Sequence, residues 1–137
     1  MRVLLDTDVV LDLLLDRAGF ADNAAAIWKA NEQGQIDAYI SAITSVNVFY
    51  IARKIKGADK ARQAVVELLA ALRVCTLDYA ILQAALSLPM ADFEDAVQVA
   101  SAMSYQLDTV ITRNVDDYKN ATLDVLTPSE FLARLTI

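Results

Sequence analysis

The chain has 137 residues, 56% hydrophobic and 22% charged, which describes a single globular domain with a sizeable core rather than a disordered chain. Twelve basic and eighteen acidic side chains leave a net charge of −6, so contact with nucleic acid calls for a local basic patch or bound cations. Histidine is absent and there is one cysteine, which excludes Ser-His-Asp catalysis, His-ligated zinc or haem, thiolate metal cages and an intrachain disulfide.

The elements alternate along the chain. Val3–Asp6 is a short apolar run ending in an acid and predicts the first strand. A short helix is expected over Asp8–Asp16, and a second over Ala21–Glu32, ending near Gly34. Ala38–Ser41 predicts strand 2. Ser45–Lys54 reads as helical from Val46, Phe49 and Tyr50 at spacings of three and four. After Gly57, Ala58–Leu72 is an Ala-rich helix. Strand 3 falls on Val74–Leu77, a helix on Tyr79–Ser87 before Pro89, and another on Asp92–Gln106. Thr109–Thr112 predicts strand 4 and Leu123–Leu126 a short fifth strand. Pro128 then opens a last helix over Ser129–Leu135. No repeat, low-complexity stretch or linker interrupts residues 1–137, read as one domain. Apolar strands alternating with helices predict an α/β fold: a three-layer α/β/α sandwich around a mainly parallel sheet of four to five strands.

Met1 and Arg2 lead directly into Val3-Leu4-Leu5 and then Asp6 and Asp8. No secretory leader is therefore expected, nor an uncharged run of the ~18 residues that a membrane span needs. With Cys75 expected as a reduced core residue, a cytoplasmic location without membrane contact is the simplest expectation.

Ligands of parallel sheets sit beyond the C-terminal strand ends, so the residues after each strand carry the functional expectation. Strand 1 ends in Asp6-Thr7-Asp8, strand 4 in Thr112-Arg113-Asn114 followed by Asp116 and Asp117, and the helix before strand 4 opens with Asp92-Phe93-Glu94-Asp95. Three acidic groups are thus expected at one sheet edge. Carboxylates brought together repel unless a cation neutralises them. With no imidazole or paired thiolates, the ligands are oxygens and the ion is Mg²⁺ or Mn²⁺. Such an ion activates water and stabilises charge on a phosphoryl group, so hydrolysis of phosphodiesters is the natural chemistry.

Each acid also has a plainer reading. Asp92 and Asp95 match a cap and its third-position partner. Asp8 can cap the first helix, and Asp117 can be an exposed turn acid. Glu94, Asp116, Asp12 and Asp16 read as solvated. Asp6 is harder to dismiss, because an acid ending an apolar strand is costly unless paired, capping or functional.

Val3-Leu4-Leu5-Asp6-Thr7, Asp92-Phe93-Glu94-Asp95-Ala96, and Val110-Ile111-Thr112-Arg113-Asn114 with Asp117-Tyr118 together resemble the PIN domain, the nuclease fold of VapC-type toxins, over nearly the whole chain. The resemblance implies a Mg²⁺ or Mn²⁺ site, cleavage of single-stranded RNA, an antitoxin protein as partner and a homodimer. It assigns metal binding to Asp6, Asp95, its companion Asp92, and Asp117, with Thr112 as the hydroxyl residue before the last acids. Two positions depart from the family pattern: Asn47 stands where a glutamate is common, and Asn114 where an aspartate is common. Both are carried as site residues of reduced charge. They motivate an alternative, a weakly active or inactive PIN-like module that binds RNA or protein. A phosphatase of haloacid-dehalogenase type is a remote alternative suggested by Asp6-x-Asp8-x-Val10, but Arg73 to Asp116 contains no lysine for that chemistry.

Five basic residues, Arg53, Lys54, Lys56, Lys60 and Arg62, cluster around Gly57 as a phosphate-contacting patch, an anchor for an acidic partner, or a solvated corner. Arg113 is a candidate contact to a scissile phosphate. Ile43, Val46, Phe49, Tyr50 and Ile51 form either core or a face for self-association. Setting aside Asp6, Asp92, Asp95 and Asp117 leaves a nearly balanced surface, so the acidity is concentrated where a cation would turn repulsion of phosphate into attraction.

Overall fold

The computed structural model describes residues 1–136. Five strands, β1 (Arg2–Leu5), β2 (Asp37–Ser41), β3 (Arg73–Cys75), β4 (Thr109–Ile111) and β5 (Asp124–Leu126), form one sheet in the order β3-β2-β1-β4-β5. Every pair is parallel, with Leu4 opposite Tyr39 on one side and Val110 on the other. The helices are α1 (Thr7–Leu14), α2 (Ala21–Glu32), α3 (Ala42–Lys56), α4 (Ala58–Ala71), α5 (Tyr79–Leu86), α6 (Phe93–Ser104) and α7 (Pro128–Leu135), with a 3-10 turn over Val115–Tyr118.

Strand alternation divides the core between two faces. Val3, Leu5, Ala38, Ile40 and Ile111 point to one side, where α1, α2, α3, α4 and α7 bring Val9, Val10, Ile27, Val48, Leu68 and Phe131. Leu4, Tyr39 and Val110 point to the other, against Val99 and Ala102 of α6 and the buried ring of Tyr118. Ile81 and Ala85 of α5 pack on Ala96, Val97 and Ala100 of α6. This is the expected three-layer sandwich. Helix α6 is buried from Ala96 to Ala102, as a helix clamped between a sheet and a neighbouring helix must be.

The boundaries differ from expectation where caps intervene. Asp6 leaves β1 and becomes the N-cap of α1, its side chain accepting from Thr7 N. Asp8 is therefore not the cap. Helix α1 stops at Leu14, and Asp16 turns into the left-handed region at φ 49°. Ser41 caps α3 through Ile43 N, so that helix starts three residues before Ser45. β3 ends at Cys75 rather than Leu77, and Asp92 is the cap of α6 rather than its first residue. At α7, Thr127 and Glu130 form a reciprocal capping box with Pro128 at the first turn.

Strand order reverses direction between β1 and β4, so the crevice for a ligand opens at their C-terminal ends. Asp6 and Thr112 stand on its two sides. Backbone pairing holds both: Asp6 N donates to the Ile111 carbonyl at 2.9 Å, and Thr112 N to the Leu126 carbonyl at 3.0 Å. Among the described residues no helix is long and apolar enough to cross a membrane.

Candidate active site

Asp6 is 8% exposed and its carboxylate accepts four hydrogen bonds. Oδ1 takes Thr7 N at 2.7 Å and Gln98 Nε2 at 2.8 Å. Oδ2 takes the Thr112 hydroxyl at 2.7 Å and the Tyr118 hydroxyl at 3.1 Å. A carboxylate offers about four lone-pair positions, so this one is fully subscribed by α1, α6, the residue after β4 and the 3-10 turn. The burial of a charge at a strand end is thus balanced by charge-assisted hydrogen bonds. Thr112 in turn accepts from Asn114 N at 3.1 Å, which fixes the start of the loop.

Asp95 stands in the first turn of α6, with Asp92 Oδ1 capping its N–H at 2.9 Å. Burial, then the charges of Asp92 and Asp6, push the Asp95 carboxyl up to about 7; Asp117 adds to this and the Tyr118 hydroxyl opposes it. Asp92, Asp95, Asp116 and Asp117 line a cleft of about 330 Å³ together with Lys119. The structure therefore brings Asp92, Asp95 and Asp117 to one cleft at the expected sheet edge. Asp6 lies behind it, linked through Tyr118. Among the described residues, no three of the acids stand close enough to ligate one ion together. The donor chemistry nevertheless fits a hard cation. All candidate ligands are oxygens, a raised carboxyl marks a cluster short of positive charge, and Mg²⁺ commonly binds through one or two carboxylates while keeping several waters.

Asn47, on α3, donates to Glu94 Oε1 at 2.9 Å. Glu94 is exposed, as expected, and this bond ties it to α3. Burial, then Asp92 and Asp6, raise its carboxyl, against the Asn47 hydrogen bond. An acid on α6 stands beside the amide where a glutamate on α3 is common. Asn114 does not join the acidic cleft; its amide donates to Asp8 Oδ2 at 3.2 Å, alongside Arg113 N at 3.3 Å. Burial, then the Asp6 charge, push the Asp8 carboxyl up to about 6, opposed by Arg113.

Two expectations are corrected by a pairing across the fold. Asp12, expected in solvent, is 1% exposed and forms ion pairs with Arg113 Nε at 2.9 Å and Arg17 at 3.5 Å. Arg113 is consequently engaged with Asp12, its guanidinium 3.9 Å from the Phe20 ring centroid, rather than extended toward a phosphate. Sequence reasoning did not single out Gln98 or assign a role to Tyr118, both fully or nearly buried on Asp6. The available signal was a lone amide inside the apolar stretch Ala96–Ala102 and an aromatic directly after Asp117.

The remaining candidates are peripheral. Arg53, Lys54, Lys56, Lys60 and Arg62 are exposed at the corner between α3 and α4. On α3, Val46 and Tyr50 are exposed while Val48 is core. Cys75 is buried, and burial pushes its thiol up to about 12, an inert core cysteine as expected.

A sequence-family model described as PIN domain matches residues 2–116. The curated proteins contain no significant match. Several solved structures are similar. DNA-bound VapBC from Salmonella typhimurium aligns at 17% identity and a TM-score of 0.74, over 93% of this chain and 98% of that one. A toxin-antitoxin complex from Klebsiella pneumoniae aligns at 23% identity and 0.69, over 92% and 97%. FitAcB from Neisseria gonorrhoeae aligns at 23% and 0.68, over 93% and 98%. These likenesses concern the fold and run through the length of each chain.

Proposed function

The chain belongs to the PIN domain family, and from that premise we propose that it is an endoribonuclease dependent on Mg²⁺ or Mn²⁺, acting on single-stranded RNA as the toxin of a toxin–antitoxin pair. The observation that carries this reading is the Asp95 carboxyl, raised to about 7 in a cleft shared with Asp92, Asp116 and Asp117 at the strand ends. Asp95, with Asp92 or Asp117 beside it, would hold the cation through one or two carboxylates and retained waters, with Asp6 anchoring the site from behind. When bound, the ion supplies Lewis-acid activation of water and neutralises charge on the phosphodiester.

The chain's own groups divide the remaining work. Thr112, Gln98 and Tyr118 fix the position of the Asp6 carboxylate. Asp92 fixes the first turn of α6 and so the direction of Asp95. Lys119, the cation lining the acidic cleft, contacts the phosphate, and Asn47 with Glu94 borders the site. The haloacid-dehalogenase reading is set aside with the family assignment.

Three partners are proposed. RNA is the substrate. An antitoxin segment fits the groove between α1, α2 and α4, with an apolar floor of Leu13, Leu14, Trp28 and Ala71 and the carboxylates of Glu32 and Glu67 in its lining; the similar structures named above include complexes described as toxin–antitoxin. A homodimer is favoured by Val46 and Tyr50, exposed at 49% and 59%.

A second reading, a PIN-like module without catalysis, is favoured by the full subscription of Asp6 and by the neutral amides of Asn47 and Asn114. Calorimetric titration with Mn²⁺ separates the two. The nuclease reading expects binding at or below millimolar concentration that is lost in Asp95→Asn. No binding at millimolar Mn²⁺ leaves the module.

A further inference from the structure

The loop after β4 walls two clefts, and only one of them is acidic. On its other side a cleft of about 410 Å³ is lined by Asp12, Phe20, Asn23, Arg113, Asn114 and Ser129, among others. Its charge is balanced, because Arg113 is paired with Asp12 at 2.9 Å. Its wall is a cation–π stack, the Arg113 guanidinium carbon 3.9 Å over the centroid of a Phe20 ring that is 44% exposed. Around that stack stand the amides of Asn23 and Asn114 and the hydroxyl of Ser129. A phosphate finds little here, since the one guanidinium is already neutralised. A flat, neutral group with hydrogen-bonding edges finds both a stacking platform and amide partners, which is how single-stranded bases are held by proteins.

We propose that this cleft is a nucleobase subsite, which receives a base flanking the scissile phosphate and stacks it on the Phe20–Arg113 pair. The inference rests on the ribonuclease reading above and deepens it. The connection is short: Thr112 donates to Asp6, and Arg113 and Asn114 follow it directly in the chain. A strand whose phosphate lies in the acidic cleft has only this loop to cross. Phe20 and Asn23 thereby become specificity-determining residues. Neither touches Asp6, Asp95 or their hydrogen-bond partners.

The test is binding, measured with Ca²⁺ in place of Mn²⁺ so that the acidic cleft stays neutralised while cleavage is suppressed. A fluorescein-labelled single-stranded RNA of about eight nucleotides, and derivatives each lacking one base, are titrated with wild type, Phe20→Ala, Phe20→Leu and Asn23→Ala by anisotropy. One missing base is expected to weaken wild-type binding about tenfold, as stacking on an aromatic platform implies. The same omission is expected to weaken the two Phe20 variants less than about twofold, since the partner is already gone. Asn23→Ala keeps the stack and guards against a Phe20 variant that merely misfolds; it is expected to narrow the discrimination between bases at that position. If every omission costs the Phe20 variants as much as wild type, the subsite is overturned while RNA binding stands. If wild type binds no RNA at all, the subsite and the ribonuclease reading fall together.

Discussion

Neutralising Asp95 should stabilise the protein while removing its proposed activity. Its carboxyl is ionised near 3.8 in an unfolded chain and only at about 7 in the fold, because burial and the charges of Asp92 and Asp6 oppose ionisation. Between those values the folded state holds the extra proton, so stability falls as pH rises through the window and stays low above it. The shift of about three units corresponds to ~4 kcal/mol at most. Asp95 is only partly buried, and solvent screening reduces this to roughly 1–2 kcal/mol. Asn at the same place also forgoes the attraction of an acid for the α6 N-terminus, worth about 0.5 kcal/mol. Asp95→Asn is therefore expected to unfold ~1 kcal/mol harder than wild type near pH 8 in chelator, a melting temperature higher by about 3–5 °C. Near pH 3, where the Asp95 carboxyl is neutral in the fold and mostly neutral in the unfolded chain, the two should be nearly equal. Urea titrations at a series of pH values read this directly. A variant equal to or less stable than wild type above pH 7 would refute the electrostatic reasoning.

Other outcomes follow from single contacts. Tyr118→Phe removes one of the four donors to Asp6; it should cost about 1–2 kcal/mol in urea unfolding and, by freeing a lone pair, tighten Mn²⁺ binding in calorimetry. Asp12→Ala leaves the Arg113 guanidinium, 27% exposed, without its counter-charge. The loss should be about 2 kcal/mol, below the 3–5 of a fully buried pair, read from the urea midpoint. Phe131, fully buried where α7 joins the core, should cost about 3–5 kcal/mol on change to Ala, seen as a large drop in the thermal midpoint.

Local signals carried the layers of this fold. Val3, Leu4 and Leu5 alternate between two buried faces, and a strand buried on both sides reads as an unbroken apolar run. Boundaries failed where a strand runs straight into a helix cap. Ser41 ends β2 and caps α3, while Asp6 follows β1 directly and caps α1, and nothing in the local pattern separates strand end from cap. The order of acids along the chain anticipated that Asp92, Asp95 and Asp117 share one cleft, but not that Asp6 is engaged by its own donors behind it. Asp12 was misread because its partner, Arg113, lies a hundred residues away in a different layer of the fold. Gln98 and the role of Tyr118 were not legible for a related reason. Their donors meet Asp6 only once α6 and the 3-10 turn are docked. Long-range pairing of polar groups has no period to betray it.

The central claim is that carboxylates around Asp95 hold a cation that cleaves RNA. Single-turnover cleavage of a labelled single-stranded RNA, with Mn²⁺ or with chelator, tests it for wild type, Asp6→Asn and Asp95→Asn. The account predicts cleavage by wild type only when Mn²⁺ is present, slowed by about a hundredfold or more in each variant, as loss of a charge-stabilising group commonly does. Cleavage that persists in chelator, or variants that cut as fast as wild type, would contradict it.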